Sequence, residues 1–180
     1  MSMEKYNKIH FIGIGGISMS SLAEILKSKG KTITGSDGVA SNVTKALENI
    51  GIQVSIGQKA ENIPPDTDLI VYTAAVKEDN PELMAARASG IETVDRAALV
   101  GMMMLEYKFP LSVAGTHGKT TTSSLVTEIF LEANTNPTVS IGGILPSIKG
   151  NYKVGGEDYF ILETCEYCDS FLKFNPHGAI

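Results

Sequence analysis

Residues 113–122 read Val-Ala-Gly-Thr-His-Gly-Lys-Thr-Thr-Thr, between a short apolar segment at 109–114 and a stretch in which Leu125, Ile129 and Phe130 recur at helical spacing. The order is therefore strand, loop, helix, and the loop has the composition of a triphosphate cradle. Gly115 and Gly118 let the backbone wrap phosphate oxygens closely, with Thr116, His117 and Thr121 on the same loop and first helical turn. Lys119 supplies a point charge for terminal phosphates, and the hydroxyl of Thr120 can join the shell of a Mg²⁺ ion. His117 touches phosphate or shapes the turn, and no proton transfer is assigned to it. The spacing departs from the common phosphate loop, which has a glycine five residues before the Gly-Lys pair. Val113 stands there, so this is the shorter Gly-Thr-His-Gly-Lys-Thr form. The competing reading is a glycine-rich turn that carries a lysine by chance.

A second phosphate turn lies at the amino end. Residues 8–13 read as a buried strand that runs into Gly-Ile-Gly-Gly-Ile-Ser-Met-Ser and then a helix carrying Leu22, Ala23, Ile25 and Leu26. Gly13 and Gly15 fit the first two positions of the dinucleotide fingerprint, Gly16 follows, and the third position is Ser18. The next strand, 31–35, leads to Ser36 and Asp37, and a carboxylate at the tip of a second strand typically accepts hydrogen bonds from a ribose or base edge. Asp37 reads alternatively as a turn or helix-capping residue. Further strands at 52–56, 69–73 and 91–94 alternate with helical stretches, which predicts a doubly wound parallel sheet with Thr73 on its ligand-binding edge. Hydride-transfer enzymes have no use for a Mg²⁺-triphosphate loop. A chain with both signatures is expected to bind one nucleotide as substrate and another as energy source, which makes ATP-driven ligation the reaction class.

These residues resemble the Mur ligases of peptidoglycan synthesis over essentially the whole chain. The resemblance rests on His-Phe-Ile-Gly-Ile-Gly-Gly-Ile-Ser-Met-Ser (10–20), Thr-Gly-Ser-Asp (34–37), Asn-Pro-Glu (80–82), the Arg96-Ala97 pair, the 113–122 loop and Glu-Thr-Cys-Glu-Tyr-Cys-Asp-Ser-Phe (163–171). It implies a Rossmann-like UDP-binding domain over 1–107, followed by the start of a P-loop-type α/β ATP-binding domain over 108–180. It further implies that UDP-N-acetylmuramate lies against Gly13, Gly15, Gly16, Ser18, Asp37, Thr73 and Arg96, and that ATP lies on Gly115 to Thr121. Lys119 and Glu163 would be catalytic, with Thr120 and Glu163 holding Mg²⁺. The implied reaction forms an acyl phosphate on the sugar's lactyl carboxylate, which the amine of L-alanine attacks. Many members carry an acidic run at 163–169; here Cys165 replaces one acid, Glu163 and Glu166 keep the first and fourth positions, and the metal role carries over best to Glu163. Glu163 reads alternatively as an exposed strand-end charge. The related ligase that attaches a ready-made peptide to the same sugar, and a nucleotide-binding module without catalysis, are the two rival functions.

Composition bounds the remainder. The net charge of −5 gives no electrostatic case for nucleic acid or an anionic membrane, and no apolar run approaches the ~20 residues that span a bilayer. With no secretory pattern at the start, the cytoplasm is the expected location; oligomeric state is not legible. Cys165 and Cys168 form a Cys-x-x-Cys, half of a zinc site or a redox pair, without two further ligands at similar spacing. Met102 to Met104 read as core or domain contact, and 106–108 as the linker. About sixty residues follow the loop, too few for a parallel sheet covered on both faces, so the chain is expected to be an amino-terminal part of a ligase. The part after about residue 108 is expected to be partly disordered or to leave apolar surface exposed.

Overall fold

The computed structural model describes residues 3–164 and 172–180. The calls on Cys165, Glu166 and Cys168 fall outside them. Backbone proximity divides the chain into two compact units, Glu4–Leu99 and a second that includes Val100–Ile180. They part within one helix, upstream of the 107/108 boundary read from the sequence.

In the first unit five strands form one sheet: β1 (Lys8–Ile12), β2 (Thr32–Asp37), β3 (Gln53–Ile56), β4 (Leu69–Tyr72) and β5 (Glu92–Asp95). All pairings are parallel and the order is β3-β2-β1-β4-β5. Parallel neighbours need crossover connections, supplied in turn by α1 (Ile17–Ser28), α2 (Asn42–Asn49) and α3 (Pro81–Ala88). α1 forms because Leu22, Ala23, Ile25 and Leu26 make one apolar stripe, and all four are fully buried. On α3, Leu83 and Ala86 close a cluster with Ile12 and Ile70. α2 starts at a capping box, with Ser41 Oγ accepting from the Thr44 amide and Thr44 Oγ1 accepting from the Ser41 amide. The strand order reverses beside β1, so a crevice opens at the carboxyl ends of β1 and β4, the place where open α/β sheets take ligands.

α4 (Arg96–Met104) leads to the second unit, which holds β6 (Phe109–Val113), α5 (Lys119–Glu132), β7 (Thr138–Leu145), β8 (Gly150–Lys153), β9 (Tyr159–Glu163) and the two-residue β10 (Gly178–Ala179). The sheet order is β10-β6-β9-β7-β8, parallel except for β8, which returns antiparallel to β7. Val139, Ile141, Leu145 and Ile161 form its core, with Leu111, Val126 and Phe130 packed against them. The methionines Met102 to Met104 are buried as expected. Tyr107, read as linker, is also buried, with its ring stacked on Phe160 at 4.8 Å.

Among the described residues after 108, the β7 and β8 hairpin adds strands to the parallel core and completes a five-stranded sheet, and of the two outcomes expected for this part, disorder or exposed apolar surface, the structure shows the second. Apolar surface does remain: Leu125, Ile129 and Ile144 are 61%, 66% and 82% exposed. Leu125 and Ile129 therefore mark the outer face of α5, and its sheet side is Ser123, Val126, Thr127 and Phe130.

Candidate functional site

Each unit carries one candidate site at the carboxyl ends of its parallel strands. In the first, β1 ends in a turn at Gly13, whose φ of +83° suits glycine. The amides of Gly13 and Ile14 both donate to the Ser36 carbonyl, at 2.8 and 2.9 Å. Two features forbid a side chain at Gly13: the φ itself, and the Thr73 methyl, which would lie 2.5 Å from an added Cβ. Gly16 then caps α1 from an extended conformation, with no side-chain cap.

Asp37 closes this turn from the second strand. Its Oδ2 accepts from the Gly15 amide at 2.8 Å and its Oδ1 from the Val39 amide at 3.2 Å. The carboxylate is thus a brace for the turn as well as a cleft-wall group, and its oxygens keep lone pairs for a ligand donor. A Cβ on Gly15 would lie 2.8 Å from Asp37 Oδ2, so glycine there keeps the brace short.

The cleft holds about 750 Å³, within the usual range for small-molecule sites, and is lined by Gly13, Gly15, Gly16, Asp37, Val39, Ser41, Gln58, Thr73, Ala75, Val76, Lys77, Asp79, Asn80 and Pro81. Five of the seven residues assigned from the sequence to this site stand on its wall. Ser18 and Arg96 do not; they meet each other, with Arg96 Nη1 donating to Ser18 Oγ at 3.1 Å. Gln58, Lys77, Asp79 and Asn80 escaped the sequence reading. The signal for Asn80 was present in the Asn-Pro step, since Asn80 Oδ1 accepts from the Glu82 and Leu83 amides and caps α3, with Pro81 in its first turn.

In the second unit the loop from β6 to α5 runs through Gly115 (φ +139°) and Gly118 (φ +75°), the latter left-handed and capping α5 without a side-chain bond. Thr116, His117 and Thr121 are exposed along it. Lys119 Nζ donates to the Gly115 carbonyl at 2.6 Å, so the loop closes on its own lysine. Opposite, Glu163 at the end of β9 receives three donors: Thr120 Oγ1 at 2.9 Å, Ser123 Oγ at 3.1 Å and the Gly142 amide at 2.8 Å. β6 and β9 are paired with Val113 level with Glu163, which fixes that reach. The geometry brings Thr120 and Glu163 together as the sequence anticipated, and adds Ser123, Gly142 and Gly143. A Cβ on Gly142 would lie 2.6 Å from Glu163 Oε1, and one on Gly143 2.8 Å from the Thr120 methyl carbon. The sequence reading did not single these glycines out, and their role appears only once β7 lies beside β9.

Among the described residues no three His, Cys, Asp or Glu side chains gather to hold a metal. Mg²⁺ characteristically takes one or two carboxylates and completes its shell with phosphate oxygens and water. One carboxylate and one hydroxyl beside a helix amino terminus, Glu163 and Thr120, match that donor set. No helix among the described residues is long and apolar enough to cross a membrane.

Known proteins share this arrangement. The family model described as "Mur ligase family, catalytic domain" matches residues 8–108. The UDP-N-acetylmuramate–L-alanine ligase of Agathobacter rectalis is 58% identical over 172 residues, covering 96% of this chain and 38% of its own length. That of Acetivibrio thermocellus is 54% identical over 176 residues, covering 98% and 37%. The chain thus spans a little over a third of the length of the curated relatives it matches. Among solved structures, the UDP-N-acetylmuramate-alanine ligase of Thermotoga maritima superposes with a TM-score of 0.86 at 36% identity, over 96% of this chain and 40% of that one. A murein peptide ligase from Psychrobacter arcticus gives 0.86 at 26% identity, over 96% and 42%. With a family model matched across more than half its residues and this fold behind it, the chain belongs to the Mur ligase family.

Proposed function

We propose that these 180 residues are the UDP-sugar cleft and the ATP-phosphate loop of a ligase that joins L-alanine to UDP-N-acetylmuramate at the expense of ATP. The observation that carries this is one chain with two cradles of different chemistry: a braced glycine turn at a 750 Å³ cleft, and a lysine loop facing a clamped carboxylate. In the first, Gly13 to Gly16 present backbone to the diphosphate, and Asp37 and Thr73 on the cleft wall stand near the nucleoside-sugar. In the second, the Gly115 to Thr121 backbone wraps the triphosphate and Lys119 exchanges its bond to the Gly115 carbonyl for phosphate oxygens.

A carboxylate is a poor electrophile, so the lactyl carboxylate first attacks the γ-phosphorus and ADP leaves. The alanine amine then attacks the acyl phosphate, an amide bond forms, phosphate departs and the amine gives up its proton. Mg²⁺, held by Thr120 and Glu163, would neutralise charge on the β- and γ-phosphates. The protein's part in phosphoryl transfer is mainly positioning and electrostatics, and Ser123 and Gly142 serve it by holding the Glu163 carboxylate in one orientation.

A second reading, attachment of a ready-made peptide to the same sugar, is supported by the equal TM-score of the murein peptide ligase; the lower identity, 26% against 36%, favours alanine. The test is phosphate release by a ligase of the relatives' full length that contains these residues. Alanine-dependent release that needs UDP-N-acetylmuramate is expected; release with the peptide and none with alanine would overturn the proposal in favour of the second reading.

A further inference from the structure

The first unit contains a buried polar network that the proposed chemistry does not use. His10 and Glu82 are 1% and 0% exposed, and His10 Nε2 lies 2.8 Å from Glu82 Oε1. His10 Nδ1 is 2.8 Å from Thr34 Oγ1 across the β1–β2 pair. The second carboxylate oxygen of Glu82 accepts from Ser36 Oγ at 2.7 Å and from Asn62 Nδ2 at 3.2 Å. Removing a carboxylate from water is expensive, and an apolar side chain of similar volume often packs such a site at no loss of stability. Stability alone is therefore a weak reason for Glu82.

Its partners supply another. Ser36, whose hydroxyl Glu82 holds, is the residue whose carbonyl accepts the Gly13 and Ile14 amides. Asn62 also donates to the Gly57 carbonyl at 2.7 Å, and the Gly57 amide donates to the Asp37 carbonyl at 2.8 Å. The amide of Glu82 itself is bonded to Asn80 on the cleft wall. One carboxylate thus joins the glycine turn, the strand carrying Asp37 and the start of α3 from beneath.

We propose that Glu82 is a positioning residue for UDP-sugar binding: through Ser36 and Asn62 it sets the glycine turn in the geometry that receives the diphosphate end of the ligand, with Asp37 held beside it toward the nucleoside-sugar. This rests on the cleft being the UDP-sugar site. Glu82→Gln replaces an ionised acceptor for Ser36 and Asn62 with a neutral amide that has one accepting oxygen, and Ser36→Ala removes only the link from the carboxylate to the strand.

The test is calorimetric titration of UDP-N-acetylmuramate into the 180-residue chain and both variants, with amide hydrogen exchange on each. The expected result is binding weaker by roughly tenfold or more in both variants. Exchange should accelerate at the Gly13, Ile14 and Gly57 amides while β4 and β5 keep their protection. Wild-type affinity in the folded variants would overturn the inference, and so would affinity loss that only tracks a uniform loss of protection over β1 to β5. If Glu82→Gln does not fold, Ser36→Ala decides by the same criteria. Failure of the unsubstituted chain to bind would overturn the cleft assignment and this inference with it, whereas binding by the unsubstituted chain and both variants alike would overturn the inference alone.

Discussion

At the scale of single residues, the phosphate loop was the most legible feature and its supports were the least. That Thr120 and Glu163 would face one another was readable, because one opens the helix after the loop and the other ends a neighbouring strand. Ser123 and Gly142 were not, since nothing local tells a helix serine from a β-strand glycine that will meet one carboxylate. Asp37 was legible as a strand-tip carboxylate, with ligand and turn roles both open; its bonds to the Gly15 and Val39 amides establish the turn role. Two predictions belong here. In a full-length ligase containing this sequence, Lys119→Ala should lower ATP-driven turnover on the order of 10²-fold or more while UDP-sugar affinity stays within about twofold. Near-normal turnover would remove Lys119 from the mechanism. Gly142→Ala should lower turnover roughly tenfold or more, because its Cβ would stand 2.6 Å from Glu163 Oε1. Gly38→Ala, with nothing within 4 Å of the added carbon, should leave turnover unchanged in the same assay.

At the scale of elements, strands were legible wherever they are buried on both faces, as β1 and β4 are, because an apolar run bounded by turns has few alternatives. β7 was missed: its Gly142-Gly143 pair breaks the apolar run, and those glycines are there to let β7 approach Glu163 and Thr120. α5 was found through Leu125 and Ile129, which turn out to face outward. Its inner face includes the fully buried Ser123 and Thr127, small enough to let the helix lie close to the sheet, with Thr127 Oγ1 donating to the Ser123 carbonyl. Helix starts follow local chemistry, and α2 gives a clean test. Ser41→Ala removes one half of its capping box and should cost about 1 kcal/mol in denaturant unfolding of the first unit; an unchanged midpoint would deny the cap its role.

At the scale of the molecule, acid should weaken the first unit. The amides of Lys8 and Asn7 hold the Asp68 carboxyl below its ordinary range, and hydrogen bonds from Tyr6 and Lys5 do the same for Glu92. Carboxylates with depressed folded-state values bind protons more readily when unfolded. Their contribution is therefore complete above the ordinary carboxylate range and is lost as pH falls through the depressed values. Asp68→Asn should make the acid-side decline in unfolding free energy shallower, and an identical decline would exclude this source. If one chain carries two nucleotide sites of different kind, two ligands should bind it at separate places. The most direct measurement is amide chemical-shift mapping of the 180-residue chain titrated in turn with UDP-N-acetylmuramate, Mg²⁺-ATP and NADH. The UDP-sugar should perturb Gly13 to Gly16 and Asp37, Mg²⁺-ATP should perturb Gly115 to Thr121 and Gly142, and NADH should perturb neither set. Saturation of the Gly13 to Gly16 turn by NADH at lower concentration than by the UDP-sugar would contradict this assignment.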